Sequence, residues 1–317
     1  MKVKKSWIVF ISIVLVWLCQ SPVYGAKAKK VDPAEVLEKA KNAFFQYDFD
    51  EALELFEEYE TLQTKAKKPL VEDFEDWQRR LNIATNAFGR VQKIVVIDSI
   101  NIPRQNFFNA YKLSSSAGRI GRDLSFKLVP GVNSKEVGFI SEDGDYAIIP
   151  VADQEGLLQL KENFRLLDNS WETHELFDGD FEKDGDYAYP FMSGDGQTLY
   201  FANNGEESMG GLDLFVAQRE PVTGETRQPL NLGMPFNSPY DDFMLAIDEE
   251  RGIGWWATDR NSPGGDVTVY VYLLEEIRQN YTSDTEDLES KAKISDFKST
   301  WQPGKERDYQ EILKKIK

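Results

Sequence analysis

The sequence predicts a mixed α+β, multidomain chain: an N-terminal helical arm, a run of β-propeller-like blades, and a C-terminal helix. Three observations carry this reading. Apolar residues between 26 and 92 recur at helical spacing. From Lys93 onward, short aromatic strands alternate with turn residues to about Tyr272. Within that stretch Phe139-Ile140-Ser141-Glu142-Asp143-Gly144 is matched by Phe191-Met192-Ser193-Gly194-Asp195-Gly196 at an offset of 52. Repeats of this length, each holding several short strands, are the mark of propeller blades.

The first 25 residues read as a signal peptide. Lys2, Lys4 and Lys5 precede an apolar run from Trp7 to Leu18 that is short for a membrane span, with a cleavage position before Ala26. Cys19 is a candidate lipidation site, but Trp17 and Leu18 before it are bulky where a lipoprotein signal needs a small residue, so soluble export is the preferred expectation. Cleavage at Gly25 would leave no cysteine for disulfides, thiol chemistry or zinc.

Residues 26–92 divide into three helices. Asp32-Pro33-Ala34-Glu35 combines an N-cap acid, a first-turn proline and an acid to close a capping box. Val36, Leu37, Ala40, Ala43 and Phe44 follow on one face. Tyr47-Asp48-Phe49-Asp50 turns into a second helix carrying Ala52, Leu55, Phe56, Tyr59 and Leu62. A third carries Phe74, Trp77, Leu81, Ala84 and Phe88 and stops at Gly89.

The blade region is expected over 93–272. Asp143-Gly144 and Asp195-Gly196 read as two-residue hairpin turns, which need positive φ at both positions. A degenerate third copy runs from Phe243 to Ala257, with Trp256-Ala257 answering Phe201-Ala202 at an offset of 55, and Gly264-Gly265 answers Gly210-Gly211. Strands between 93 and 130 are expected to supply a fourth unit. Residues 273–317 form a helical extension, with Tyr309, Ile312, Leu313 and Ile316 on one face, that packs back on the body.

Ala43-Phe44-Phe45, Asp48-Phe49-Asp50-Glu51-Ala52-Leu53 and Phe56 resemble one tetratricopeptide repeat. Ser193-Gly194-Asp195-Gly196-Gln197-Thr198-Leu199-Tyr200-Phe201 resembles a TolB-type, WD40-like propeller repeat. With Tyr189-Pro190-Phe191-Met192, Asn231 to Ser238 and Gly254 to Arg260, the chain is similar to Bacteroidetes envelope proteins that join such helices to such blades. The resemblance implies a periplasmic or outer-membrane-associated protein.

Composition narrows the chemistry. The formal charge of −17 opposes nucleic-acid binding, which draws its affinity from cations on phosphates. His174 is the only histidine and no Gly-x-Ser-x-Gly elbow occurs, so it reads as an exposed strand residue without a catalytic set. Asp178, Asp180 and Asp184 alternate with Gly179 and Gly185 and are weak candidates for calcium. Lys183 and Tyr189 break the EF-hand pattern, and a solvated loop is the preferred reading. Asp259-Arg260 reads as a local ion pair or a turn, and Gly210-Gly211 as a tight turn before a strand. Trp255-Trp256 puts one ring on each face of a strand, both as packing.

No cofactor is expected. The favoured function is a non-enzymatic scaffold that binds envelope or outer-membrane proteins through helical and propeller surfaces, with a glycan-binding or glycoside-hydrolysing propeller as the alternative.

Overall fold

A computed structural model describes residues 31–122, 134–177 and 184–316, apart from positions 222, 263, 276 and 283. The signal segment, Cys19, Asp178 and Asp180 lie outside the described residues.

Three helices open the described chain: α1 (Pro33–Phe45), α2 (Phe49–Ala66) and α3 (Phe74–Phe88). Helix α1 starts at the proline, whose missing N–H has no partner to lose there. Tyr47 turns the chain in the left-handed region at φ 65°, and the Asp48 carboxylate then accepts the Glu51 amide at 3.2 Å to cap α2. The buried faces are those the periodicity marks, with Phe44, Phe49, Phe56 and Phe74 all inside. Phe44 meets Trp77 edge-on at 5.6 Å, an arrangement that sets ring edge against ring face.

This helical core does not close on itself. Met209, Met234 and Ala292 from the later chain are buried in the same cluster, with Tyr240 and Tyr281 packed against it. The helices are therefore seated on the sheet-bearing part and do not project as a free arm. One helical repeat exposes more apolar face than it can cover.

Among the described residues thirteen strands form three antiparallel sheets. The first contains β2 (Arg119–Gly121), β3 (Gly138–Ile140), β4 (Tyr146–Ala152), β5 (Leu158–Arg165) and β6 (Trp171–Glu175) in that order. The second is a meander of β7 (Tyr187–Met192), β8 (Thr198–Asn203), β9 (Asp213–Gln218) and β10 (Leu230–Asn231). The third holds β11 (Asp242–Asp248), β12 (Ile253–Thr258) and β13 (Asp266–Leu273), and its fourth strand is β1 (Val96–Pro103). Ser99 lies opposite Tyr270, so the chain's first strand completes its last sheet. The strands expected as a fourth unit are thus shared out: β1 goes to the third sheet and β2 to the first, and no fourth sheet exists among the described residues.

The register confirms the repeat in detail. Met192 faces Leu199 in the second sheet as Ile140 faces Ala147 in the first, an offset of 52. Phe191 faces Tyr200 as Ala246 faces Trp255 in the third, an offset of 55. Both later copies carry a bulge at the same place, with Tyr189 at φ 53° and Met244 at φ 52°. Every residue of β12 is buried, and the Trp255 and Trp256 rings are both inside: Trp255 lies near Tyr111, Trp256 among Phe236, Tyr270 and Tyr272.

The C-terminal segment comprises α4 (Leu288–Lys293), a helical turn at Phe297–Thr300 and α5 (Glu306–Ile316). It covers the outer edge of the third sheet. Thr300 Oγ1 accepts the Val96 amide at 2.9 Å and Trp301 Nε1 donates to the Val96 carbonyl at 2.7 Å. A strand edge left bare exposes unpaired amides that invite pairing with another chain.

Helices and sheets are locked together by a buried polar knot. Arg260, 1% exposed, donates to the Pro235 carbonyl at 2.7 Å and the Phe236 carbonyl at 2.6 Å, and pairs with the fully buried Asp242. Beside it, Asp213 accepts the Met209 amide at 3.0 Å, the Gly210 amide at 3.2 Å and Asn231 Nδ2 at 2.8 Å. Burial pushes Asp213 up to about 7, and it pushes Asp242 up to about 6 against the pull of Arg260. A β-carbon on Gly210 would collide with the Tyr240 and Ser238 carbonyl oxygens, which is why glycine stands there.

Candidate functional site

The repeated turns lie side by side at the end of the sheets opposite the knot. In the first, the Ser141 amide donates to the Tyr146 carbonyl at 2.9 Å; in the second, the Ser193 amide donates to the Thr198 carbonyl at 2.9 Å. Four residues loop between each pair, so these are not two-residue hairpins. Gly144 and Gly196 are left-handed, at φ 75° and 65°, but the preceding aspartates are not. Each aspartate instead turns its carboxylate inward. Asp143 Oδ1 accepts the Asp145 amide at 3.1 Å and Asp195 Oδ1 accepts the Gln197 and Thr198 amides at 2.8 Å. The Ser141 hydroxyl bond holds Asp143 below the usual carboxylate range. Burial opposes ionisation of Asp195, but bonds from Thr198 and the two amides outweigh it and its pKa also falls.

Between the first and second sheets runs a groove of about 450 Å³, framed by Ser141, Asp143, Ser193 and Gly196 and walled by Phe139 and Phe164. At its base the Tyr146 hydroxyl donates to Glu162 Oε1 at 2.5 Å, and the Arg219 guanidinium pairs with the same oxygen. Burial, then Glu162, drives Tyr146 well above the usual phenol range. Burial works against the Arg219 charge, but Tyr146 and Glu162 more than restore it. The groove's buried charges are thus bound to one another.

A second groove, of about 240 Å³, lies between the second and third sheets, with Ser193, Thr198, Tyr200, Ile247 and Glu249 on its lining. Strand register relates it to the first. Ile148 faces Glu162 in the first sheet, whereas Tyr200 faces Val216 at the matching place in the second. The Arg165 amide donates to Asp145, the Arg219 amide to Gln197 and the Leu274 amide to Gly252, so Leu274 occupies the place of Arg219. The ion pair of the first groove therefore becomes Val216 and Leu274 in the second. A cation enters this groove from Arg278, which lies beside the buried Tyr200 hydroxyl.

The residues singled out from sequence are scattered. His174 sits on the edge strand β6, with its side chain 51% exposed and Glu172 at 3.3 Å. Asp184 is described, and its carboxylate accepts the Glu206 amide and the Tyr187 hydroxyl, bracing one loop against the next. Asp186 does the same through the Leu158 amide at 2.9 Å. Among the described residues no three His, Cys, Asp or Glu side chains gather to hold a metal ion. Asp259 and Arg260 form a turn, with the Ser262 amide bonded to the Asp259 carbonyl at 3.1 Å, but no local ion pair. Arg260 goes to Asp242, and Asp259 lies 3.3 Å from Arg104. The two side chains leave opposite sides of the chain, one into the knot and one towards the surface.

Sequence reasoning missed the Tyr146–Glu162–Arg219 group and the grooves themselves. The missing signal was the register of the third strand in each copy, which aligns Glu162 with Val216 across a loop of different length. Comparison of the chain with protein-family models and with curated proteins found no match.

Proposed function

We propose that this protein is a non-enzymatic interaction scaffold of the cell envelope, exported by residues 1–25, that holds partner proteins through its helices and its inter-sheet grooves. The observation that carries the reading is the pair of grooves framed by recurring turns. In the first, Glu162, Tyr146 and Arg219 satisfy one another, which leaves a shaped surface with its buried charge already committed. Catalytic acids and bases need a free proton site within reach of substrate, and His174 stands on an edge strand instead.

The blade-like reading of the sheets is supported by their antiparallel order and by completion of the third sheet with β1. The tetratricopeptide-like reading is supported by the α1–α2 hairpin. No helix among the described residues is long and apolar enough to cross a membrane, so envelope association would come from partners or from Cys19. Mass spectrometry of the mature N-terminus distinguishes these: Ala26 or a neighbour favours soluble export, an acylated Cys19 favours lipid anchorage.

The decisive experiment is affinity capture from intact envelopes with the full chain as bait. A stoichiometric partner supports the proposal; none overturns it. A glycan is the alternative occupant of the first groove, favoured by the Tyr146 and Phe164 rings near Glu142 and Asp143. Saturating oligosaccharide that shifts the Tyr146 environment in NMR would move the reading to that alternative.

A further inference from the structure

Arg90, just past α3, and Arg278, past β13, line one cleft of about 670 Å³ together with Asn86, Gln92 and Asn280. In a chain with 54 acidic residues against 37 basic ones, an arginine without a carboxylate is the exception. Among the described residues eight arginines pair with an acid: Arg79, Arg80, Arg104, Arg165, Arg219, Arg227, Arg251 and Arg260. The other five are Arg90, Arg119, Arg122, Arg278 and Arg307, and two of these five share the cleft. Glu207 is the single carboxylate among the described residues on its lining.

The neighbouring groove shows what is missing. There Arg219 is answered by Glu162 of the facing sheet; in the second groove Leu274 and Val216 stand at those two places. Arg278, which enters separately, meets the Tyr200 hydroxyl with no carboxylate in ion-pair contact among the described residues. The cleft also continues through Gln92, Leu232 and Arg278 into the second groove, whose wall of Ile94, Phe236, Leu245 and Ile247 is apolar, with Lys93, Glu249 and Glu275 on the same lining. Alongside runs β10, a two-residue edge strand whose Leu230 is 67% exposed. A free strand edge can pair with an extended peptide while side-chain pockets select its sequence.

The geometry points to a docking site for an extended acidic segment of a partner protein. Its carboxylates lie on Arg90 and Arg278, and an adjacent apolar side chain enters the slot beside Leu232. The guanidinium fork matches a carboxylate in two parallel hydrogen bonds, which a lysine or amide cannot reproduce. The apolar continuation selects a polypeptide over a small free anion. This inference rests on the scaffold reading and names the chemistry of the partner.

The test uses the full chain and three labelled, end-blocked hexapeptides in which Leu alternates with Glu, Gln or Lys, read by fluorescence anisotropy. The Glu peptide is expected to bind about tenfold or more tighter than the Gln peptide, the scale of one charge-assisted contact. The Arg90→Gln/Arg278→Gln variant is expected to lose that preference. Arg119→Gln/Arg122→Gln, which removes the same charge from two other unpaired arginines, is expected to keep it. Equal binding of the Glu and Gln peptides, preference for the Lys peptide, or equal loss in both variants overturns the inference. If Arg90→Gln/Arg278→Gln still captures a stoichiometric envelope partner as the parent does, the cleft falls and the scaffold reading stands.

Discussion

The two ends of the second and third sheets use polar residues in opposite ways. At the helix-facing end Arg260, Asp242 and Asp213 are sealed from water. Arg260 reaches the Pro235 and Phe236 carbonyls, while Asp213 takes the Asn231 amide group as well as the amides of its own loop. At the turn-bearing end Asp143 and Asp195 fold onto their own loops, and Arg219 and Glu162 meet at the base of an open groove. The first end holds segments together that are distant in sequence; the second shapes a surface. Side chains at the turn-bearing end can therefore change with little loss of fold, which is where a binding function has freedom to reside.

Substitution should separate the two ends clearly. Arg260→Leu leaves Asp242 as an uncompensated buried carboxylate and is expected to cost about 3–5 kcal/mol in urea unfolding, the largest effect of the set. A loss under about 1 kcal/mol would erase the contrast.

The knot should also mark the pH dependence of stability. Asp213 and Asp242 bind protons more tightly folded than at their ordinary value of 3.8, rising to about 7 and 6. Their stabilising contribution is full below about pH 4 and drains away as pH climbs to 7. Tm at pH 5.5 is expected to exceed Tm at pH 8, with the slope reduced in Asp213→Asn; an unchanged slope would remove Asp213 from the account.

Arg219→Gln strips the groove base of its cation and leaves Glu162 to Tyr146 alone. The expected loss is about 1–3 kcal/mol, smaller than at Arg260 because this base borders an open groove. Gly144→Ala and Gly196→Ala force a β-carbon into the left-handed region at positions with open space around them, so each is expected to cost about 1–2 kcal/mol. Unequal costs at the two glycines would indicate that the turns are less alike than their hydrogen bonds. His174→Ala, on an exposed strand, is expected to change stability by less than about 0.5 kcal/mol in the same assay.

Much of the fold was legible because its signals are local. The helical faces of Phe44, Phe56 and Phe74, the proline at the start of α1 and the 52-residue repeat all follow from spacing along the chain. The turns were legible in position but not in type: glycine announces a left-handed residue, while the inward fold of Asp143 depends on amides that the turn itself supplies. The partition of β1 and β2 was hidden, since nothing near Val96 says that its partner is Tyr272. Asp259-Arg260 misled for the same reason, because adjacency in sequence says nothing about which side of the backbone each charge leaves.

By itself the sequence determined that helices precede aromatic strands, and that a module recurs with glycine turns at fixed intervals. These are matters of periodicity and backbone sterics, which act over a few residues. Tertiary structure alone decided that the helices share a core with Met209 and Met234, that Glu162 answers Arg219, and that Arg90 and Arg278 line one cleft. Burial and charge pairing depend on distance in space, and only the packed sheets set those distances.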